Sequence, residues 1–385
     1  MIVGLLKETY AGERRVALIP AALAAFRKAG IEVVVEPGAG AAAGFPDTEY
    51  VDKGARLAVS REEILAADLL ACVRVAGANR EAGRADWEQY RAGQAIVGLC
   101  DPLGAPHAAA EIARTGALLF ALEMLPRITR AQTMDVLSSQ ATIAGYRAVL
   151  LAALALSKLF PMMITAAGTL NAAKVFVVGA GVAGLQAIAT ARRLGAAVSA
   201  YDVRPAVKEQ VQSLGAKFVE MPLETNTSEA AGGYAQAMDE EFYRQQREVM
   251  GRVVSESDVV ITTAAVPGRK SPILVTAEMV ERMAPGSVLV DLAAERGGNC
   301  ELTQPGETVL YHGVQILGPL DLPAEVPYHA SQLYAKNMTT FCLHLIQDGQ
   351  LRIEPDDEIT RDTLITRDGQ VVHARVADLL ANPPP

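Results

Sequence analysis

The 385-residue chain has only four cysteines, Cys72, Cys100, Cys300 and Cys342, lying far apart with no C-x-x-C pair. That spacing argues against a zinc site or a disulfide framework and fits a reducing, intracellular compartment. The five histidines show no metal-ligand spacing and read as surface or packing residues. Basic clusters are also scarce: 35 Lys and Arg stand against 44 Asp and Glu, a formal charge of -9, which argues against nucleic acid as a partner. The N-terminus MIVGLLKETYAGERRVALIP has no basic, apolar and cleavage regions in sequence, because Lys7 and Glu8 interrupt it early, so no secretory leader is expected. The longest apolar stretch, 148–156, falls far short of the roughly twenty residues of a membrane span.

Apolar residues make up 50% of the chain, enough for large cores, and the length exceeds what one core usually serves. Strand and helix signals alternate through the first third, at 2–6, 20–29, 32–36, 61–66, 68–75, 94–99, 106–115 and 117–122. Such alternation predicts a parallel α/β domain. An alanine- and leucine-rich helix is expected at 139–159, core strands at 258–262, 287–291 and 314–317, and a returning helix at 330–347. The expected fold is α/β: two Rossmann-like, doubly wound parallel-sheet domains separated by a cleft and joined by long helices. Residues 1–138 with 325–385 form a discontinuous first domain, and 139–324 form the second.

The second domain contains VFVVGAGVAGLQAIATARRLGAAVSAYDVRP, from Val175 to Pro205. An apolar strand leads into Gly179, Gly181 and Gly184, which have the G-x-G-x-x-G spacing. The first glycine allows the tight turn, the second lets backbone N–H groups approach a pyrophosphate, and the third lets the helix pack on the strand. Asp202 ends the next strand, where a carboxylate can accept both hydroxyls of an adenosine ribose and repel a 2′-phosphate. The expected ligand is therefore NAD(H). Arg204, two residues on, raises the opposite possibility, since a nearby arginine can accommodate a 2′-phosphate. The turn at Gly38-Ala39-Gly40 lacks a third glycine and a ribose acid and reads as a tight turn only.

Two further stretches are candidate site elements. Residues 221–239, MPLETNTSEAAGGYAQAMD, are small and polar with Tyr234 as the only large aromatic, a composition that suits a loop closing on a nucleotide or a solvated insertion. Residues 127–140, RITRAQTMDVLSSQ, concentrate polar groups at a strand end that should face the cleft. Gln132 can hydrogen-bond a carboxamide, Arg127 can bind a phosphate or carboxylate, and Asp135 can orient either. Ser138 or Ser139 alone could simply cap a helix.

RITRAQTMDVLSSQATIAGYRAV, VGAGVAGLQAIATARRLGAAVSAYDVRPAVKEQVQSLGAKF, ITTAAVPGR and DLAAERGGNCE resemble the NAD(H)-binding domain I of the α subunit of proton-translocating NAD(P) transhydrogenase, over nearly the full length. The resemblance implies direct hydride transfer between NADH held here and NADP+ on a partner, coupled to proton translocation. It implies that Arg127, Gln132, Asp135 and Ser138 position the nicotinamide without acid–base chemistry. Gly179, Ala180, Gly181, Val182 and Gly184 would hold the pyrophosphate, with Asp202, Val203 and Arg204 at the adenosine. Thr263 and Ala264 would complete the site, and Tyr234 would belong to a mobile loop. It further implies a homodimer, a membrane subunit and an NADP(H)-binding β subunit as partners, and a cytoplasmic location at the inner face of the membrane. With no span in the chain, the membrane and NADP(H) components are expected on other polypeptides.

Alanine dehydrogenases resemble the chain too, but use a lysine and a histidine that fall at or near Cys72 and Asp101 here, with Arg74 close by. Neither residue type stands at those two places. A noncatalytic NAD(H)-binding module is the third alternative.

Overall fold

The computed structural model describes residues 1–220, 240–265 and 270–382. The chain forms two compact units, one of Met1–Gln140 with Pro323–Pro385 and one of Ala141–Leu322.

The sheet of the first unit runs in the order Arg56–Leu57, Glu32–Val35, Ile2–Leu5, Leu69–Arg74, Ala95–Leu99, Leu118–Ala121, Leu364–Arg367 and Gln370–Val371. Its first six strands are parallel. Alternate residues feed two separate cores: Leu69, Ala71 and Val73 enter one, Leu70 and Cys72 the other. Burial on both faces explains why these strands read as continuous apolar runs. The last two strands are antiparallel, an edge that local alternation does not announce.

The second unit repeats the plan, in the order Lys217–Phe218, Ala197–Tyr201, Lys174–Val178, Val259–Thr262, Val288–Asp291, Val314–Leu317 and Thr308–Tyr311. Six strands are parallel and Thr308–Tyr311 is antiparallel. Val175 and Val177 pack on one face, Phe176 and Val178 on the other. The order reverses between Lys174–Val178 and Val259–Thr262, and the carboxyl ends of strands at such a reversal form the ligand crevice of doubly wound sheets.

The helix expected at 139–159 spans Val136–Ala155, three residues earlier at its start and four at its end. Its early start comes from Asp135, whose carboxylate accepts the Ser138 backbone N–H at 2.9 Å. The helix expected at 330–347 spans Pro327–Leu345, with Pro327 in its first turn, where the missing N–H is tolerated. An antiparallel hairpin, Met163–Thr165 with Gly168–Leu170, was not expected; it exposes Met163, Ile164 and Leu170.

Candidate functional site

The fingerprint turn has the open, glycine-lined geometry that a phosphate cradle requires. Gly179 follows the strand at φ +97, a left-handed conformation that side chains disfavour. A Cβ on Gly184 would lie 1.9 Å from the Gly179 carbonyl oxygen, so helix and turn touch here because no side chain intervenes. A Cβ on Gly181 would meet nothing within 4 Å. Gly181 is also the N-cap of helix Val182–Arg193 and supplies no side-chain cap, so the first-turn N–H groups have no capping side chain from it. That combination fits the pyrophosphate of a dinucleotide.

Asp202 links this turn to the next strand. It is 8% exposed, and its Oδ2 accepts the Ala180 N–H at 2.7 Å. The sequence-predicted residues Gly179, Ala180, Gly181, Val182, Gly184, Asp202, Val203 and Arg204 are thus gathered around one turn and one strand end. Thr263 joins them: its backbone N–H donates to the Val178 carbonyl at 2.8 Å and its hydroxyl to the Gly179 carbonyl at 3.1 Å. Tyr234 lies outside the described residues.

Ala264 is held by a residue that the sequence did not single out. The Asn299 side chain accepts the Ala264 N–H at 3.0 Å and donates to its carbonyl at 2.8 Å, mimicking a strand partner. A second donation, to the Pro272 carbonyl at 2.9 Å, fixes the amide. Asn299 in turn donates its backbone N–H to Asp291 at 2.7 Å. Asp291 is fully buried and also accepts from Thr262, Ala293, Cys300 and Thr303. This hub latches the ends of neighbouring strands behind Thr263 and Ala264. DLAAERGGNCE carried the signal, but only as a string; its donors meet through strand pairing.

The 127–140 segment lies in the first unit. Thr129–Met134 is a 3-10 turn with Ala131 and Met134 buried. The turn is anchored from outside by Asn337, which donates to the Thr133 carbonyl at 2.8 Å, and by the Arg130–Asp357 ion pair. Arg127 and Gln132 remain exposed at its surface. Ser138 does not cap the helix: its hydroxyl donates to Asp135 at 2.5 Å, while Ser139 Oγ donates to the Val136 carbonyl. The capping group is the Asp135 carboxylate.

The positions weighed above for an acid–base pair, Cys72 and Asp101, and the neighbouring Arg74 have fixed surroundings. Cys72 is buried, and burial pushes its thiol well up. Arg74 pairs with Glu13 at 3.0 Å and lies 4.5 Å from the Tyr10 ring centroid. Burial opposes ionisation of Glu13, but hydrogen bonds and charge from Arg15 hold it down at about 2. Asp101 sits at φ +47 with its N–H donating to Glu123 at 2.5 Å. An arginine in such a pair is a fixed cation, not a proton shuttle.

Family models described as "Alanine dehydrogenase/PNT, N-terminal domain" and "Alanine dehydrogenase/PNT, C-terminal domain" match residues 4–144 and 148–374. The chain is 44% identical over 377 residues to an NAD(P) transhydrogenase subunit alpha chain of Rhodospirillum rubrum, covering 97% of this chain and 98% of the relative. The crystal structure of a transhydrogenase from Sinorhizobium meliloti matches with a TM-score of 0.84 at 44% identity, covering 97% of this chain and 99% of that one. An alanine dehydrogenase of Bacillus subtilis is more distant, 26% identical over 388 residues, covering 98% of this chain and 94% of that protein. The chain therefore belongs to the alanine dehydrogenase/PNT family and, within it, stands with the NAD(P) transhydrogenase α subunits.

Proposed function

We propose that this chain is the NAD(H)-binding component of a proton-translocating transhydrogenase, passing hydride directly between NADH held here and NADP+ on a partner domain. The observation that carries this reading is the match to α-subunit relatives along almost the whole of both chains. The fingerprint turn, with its open approach at Gly181 and the Asp202 carboxylate beside it, supports NAD(H) as the nucleotide. Gly179, Ala180, Gly181, Val182 and Gly184 hold the pyrophosphate, Asp202, Val203 and Arg204 the adenosine, and Thr263 and Ala264 the adjoining edge. Arg127, Gln132, Asp135 and Ser138 orient the nicotinamide.

The bound nicotinamide supplies the hydride. Hydride passing between two nicotinamides leaves no proton for the protein to take up, so the chain contributes proximity and orientation, which lower barriers by about 7 to 11 kcal/mol. The fixed Arg74–Glu13 pair and the buried Cys72 favour this reading over amino-acid oxidation. The relatives are named as one portion of a subunit alpha, which supports further subunits: a membrane component conducting protons and an NADP(H)-binding β subunit. Through those partners the chain sits peripherally on the cytoplasmic face of the membrane, a reading supported by the subunit naming of its relatives; no described helix is long and apolar enough to cross a membrane. The apolar hairpin Met163–Leu170 supports a homodimer.

Mixing the chain with a transhydrogenase NADP(H)-binding domain and following NADH-dependent reduction of an NADP analogue tests the proposal. Reduction requiring both proteins is expected. NADH oxidation that instead depends on pyruvate and ammonia would replace it with amino-acid dehydrogenation. Tight NADH binding with neither activity would leave a nucleotide sensor.

A further inference from the structure

The strand Ala197–Tyr201 delivers Asp202 to the fingerprint turn, and Arg204 folds back onto the same carboxylate. Asp202 Oδ1 accepts the Arg204 backbone N–H at 2.8 Å and its Nε at 2.9 Å. Oδ2 accepts Arg204 Nη2 at 2.9 Å beside the Ala180 N–H. Side-chain exposure is 13% for the arginine and 5% for the aspartate. The backbone favours this return: Arg204 is extended at φ -88 and ψ 113, the region that a following proline, here Pro205, imposes. A fork-to-fork pair in so little solvent is strong and geometrically fixed, and the guanidinium stays charged at any working pH.

Such a pair has no net charge. A bare carboxylate repels a 2′-phosphate, whereas one neutralised by a guanidinium loses most of that repulsion, and ribose hydroxyls must compete with the four donors already on its two oxygens. We infer that Arg204, through its charge on Asp202, sets how strongly this site discriminates NAD(H) from NADP(H), leaving selectivity to the fit of the ribose rather than to charge. The inference rests on the proposed NAD(H) reading of the fingerprint and adds a specificity-determining residue to it.

Dissociation constants of NADH and NADPH for the full chain, measured by calorimetry for four proteins, provide the test. Arg204→Gln keeps donors toward Asp202 and removes the charge, so the NADPH-to-NADH ratio of Kd should rise about tenfold or more, given the strength of charge pairs with little solvent between them. Asp202→Asn leaves the arginine charge uncompensated, and the ratio should fall below that of the unsubstituted chain. The double variant is neutral again and should return to within about threefold of the unsubstituted chain. Arg204→Lys, which retains the charge, should also stay near it. An unchanged ratio in both single variants, or a double variant that stays at the Arg204→Gln value, would overturn the charge role. If Arg204→Gln does not fold, the Asp202→Asn and double variants still make the comparison. An unsubstituted chain that binds neither nucleotide would refute the NAD(H) reading itself.

Discussion

Replacing Gly181 by alanine separates nucleotide binding from folding. Gly181 has φ -74 and ψ -168, extended backbone that alanine adopts, and its added methyl would find no atom within 4 Å. Removing a glycine from the unfolded chain at a compatible position stabilises by about 0.4–1 kcal/mol, so the variant should melt at or slightly above the unsubstituted temperature. The same methyl projects into the space a pyrophosphate needs to reach the first-turn N–H groups. Overpacking costs about 1–3 kcal/mol, which weakens NADH binding roughly 5- to 150-fold. Gly184→Ala makes the contrast: its Cβ would lie 1.9 Å from a backbone oxygen. A helix gain of about 1 kcal/mol does not offset that collision, so stability and binding should both fall. Thermal melts with and without NADH, with calorimetric Kd values, read both effects. Unchanged NADH affinity in a folded Gly181→Ala variant would refute the phosphate cradle.

Gln132→Ala should slow hydride transfer at least tenfold in single-turnover assays while NADH Kd moves less than about threefold; equal losses in both would remove Gln132 from nicotinamide positioning. Asp291→Asn replaces an acceptor of several buried N–H and hydroxyl groups with a partial donor, and urea unfolding should show a loss of about 3 kcal/mol or more; a loss under about 1 kcal/mol would contradict the hub. Burial raises the Glu8 carboxyl from 4.5 to about 7 despite N–H donations from Val73 and Arg74. The folded chain then holds an extra proton between those values, so Glu8 makes stability fall as pH rises from about 4.5 to 7, by up to roughly 3 kcal/mol. Glu8→Gln should flatten that decline in urea melts between pH 5 and 8; parallel curves for the two proteins would show that Glu8 does not titrate there.

Features dictated by neighbouring residues were the legible ones. The strand, three glycines, helix, second strand and Asp202 lie within about thirty positions, and the contacts of the cradle other than those of Thr263 are local in sequence. The parallel cores were legible because both faces of each strand are apolar. Leu364–Arg367 pairs with Leu118–Ala121 across most of the chain, and no local pattern fixes that partner or its direction. Asp135 illustrates a subtler limit: serines at 138 and 139 look like caps, but the aspartate three residues earlier reaches the Ser138 N–H and starts the helix sooner. Asp291 and Asn299 stayed hidden because their role depends on Thr262, Ala264 and Pro272 arriving from other segments. Arg204 was visible as a cation near the ribose, but its commitment to Asp202 depends on a side-chain conformation that spacing does not specify.

The central claim is that hydride moves directly from NADH on this chain to a nucleotide on another. NADH deuterated at the transferring C4 position, mixed with the chain, a transhydrogenase NADP(H)-binding domain and NADP+, tests it in one mass spectrum. The account predicts NADPH carrying the deuterium, with none exchanged into water and no need for pyruvate or ammonia. Unlabelled NADPH, or label lost to solvent, would contradict it.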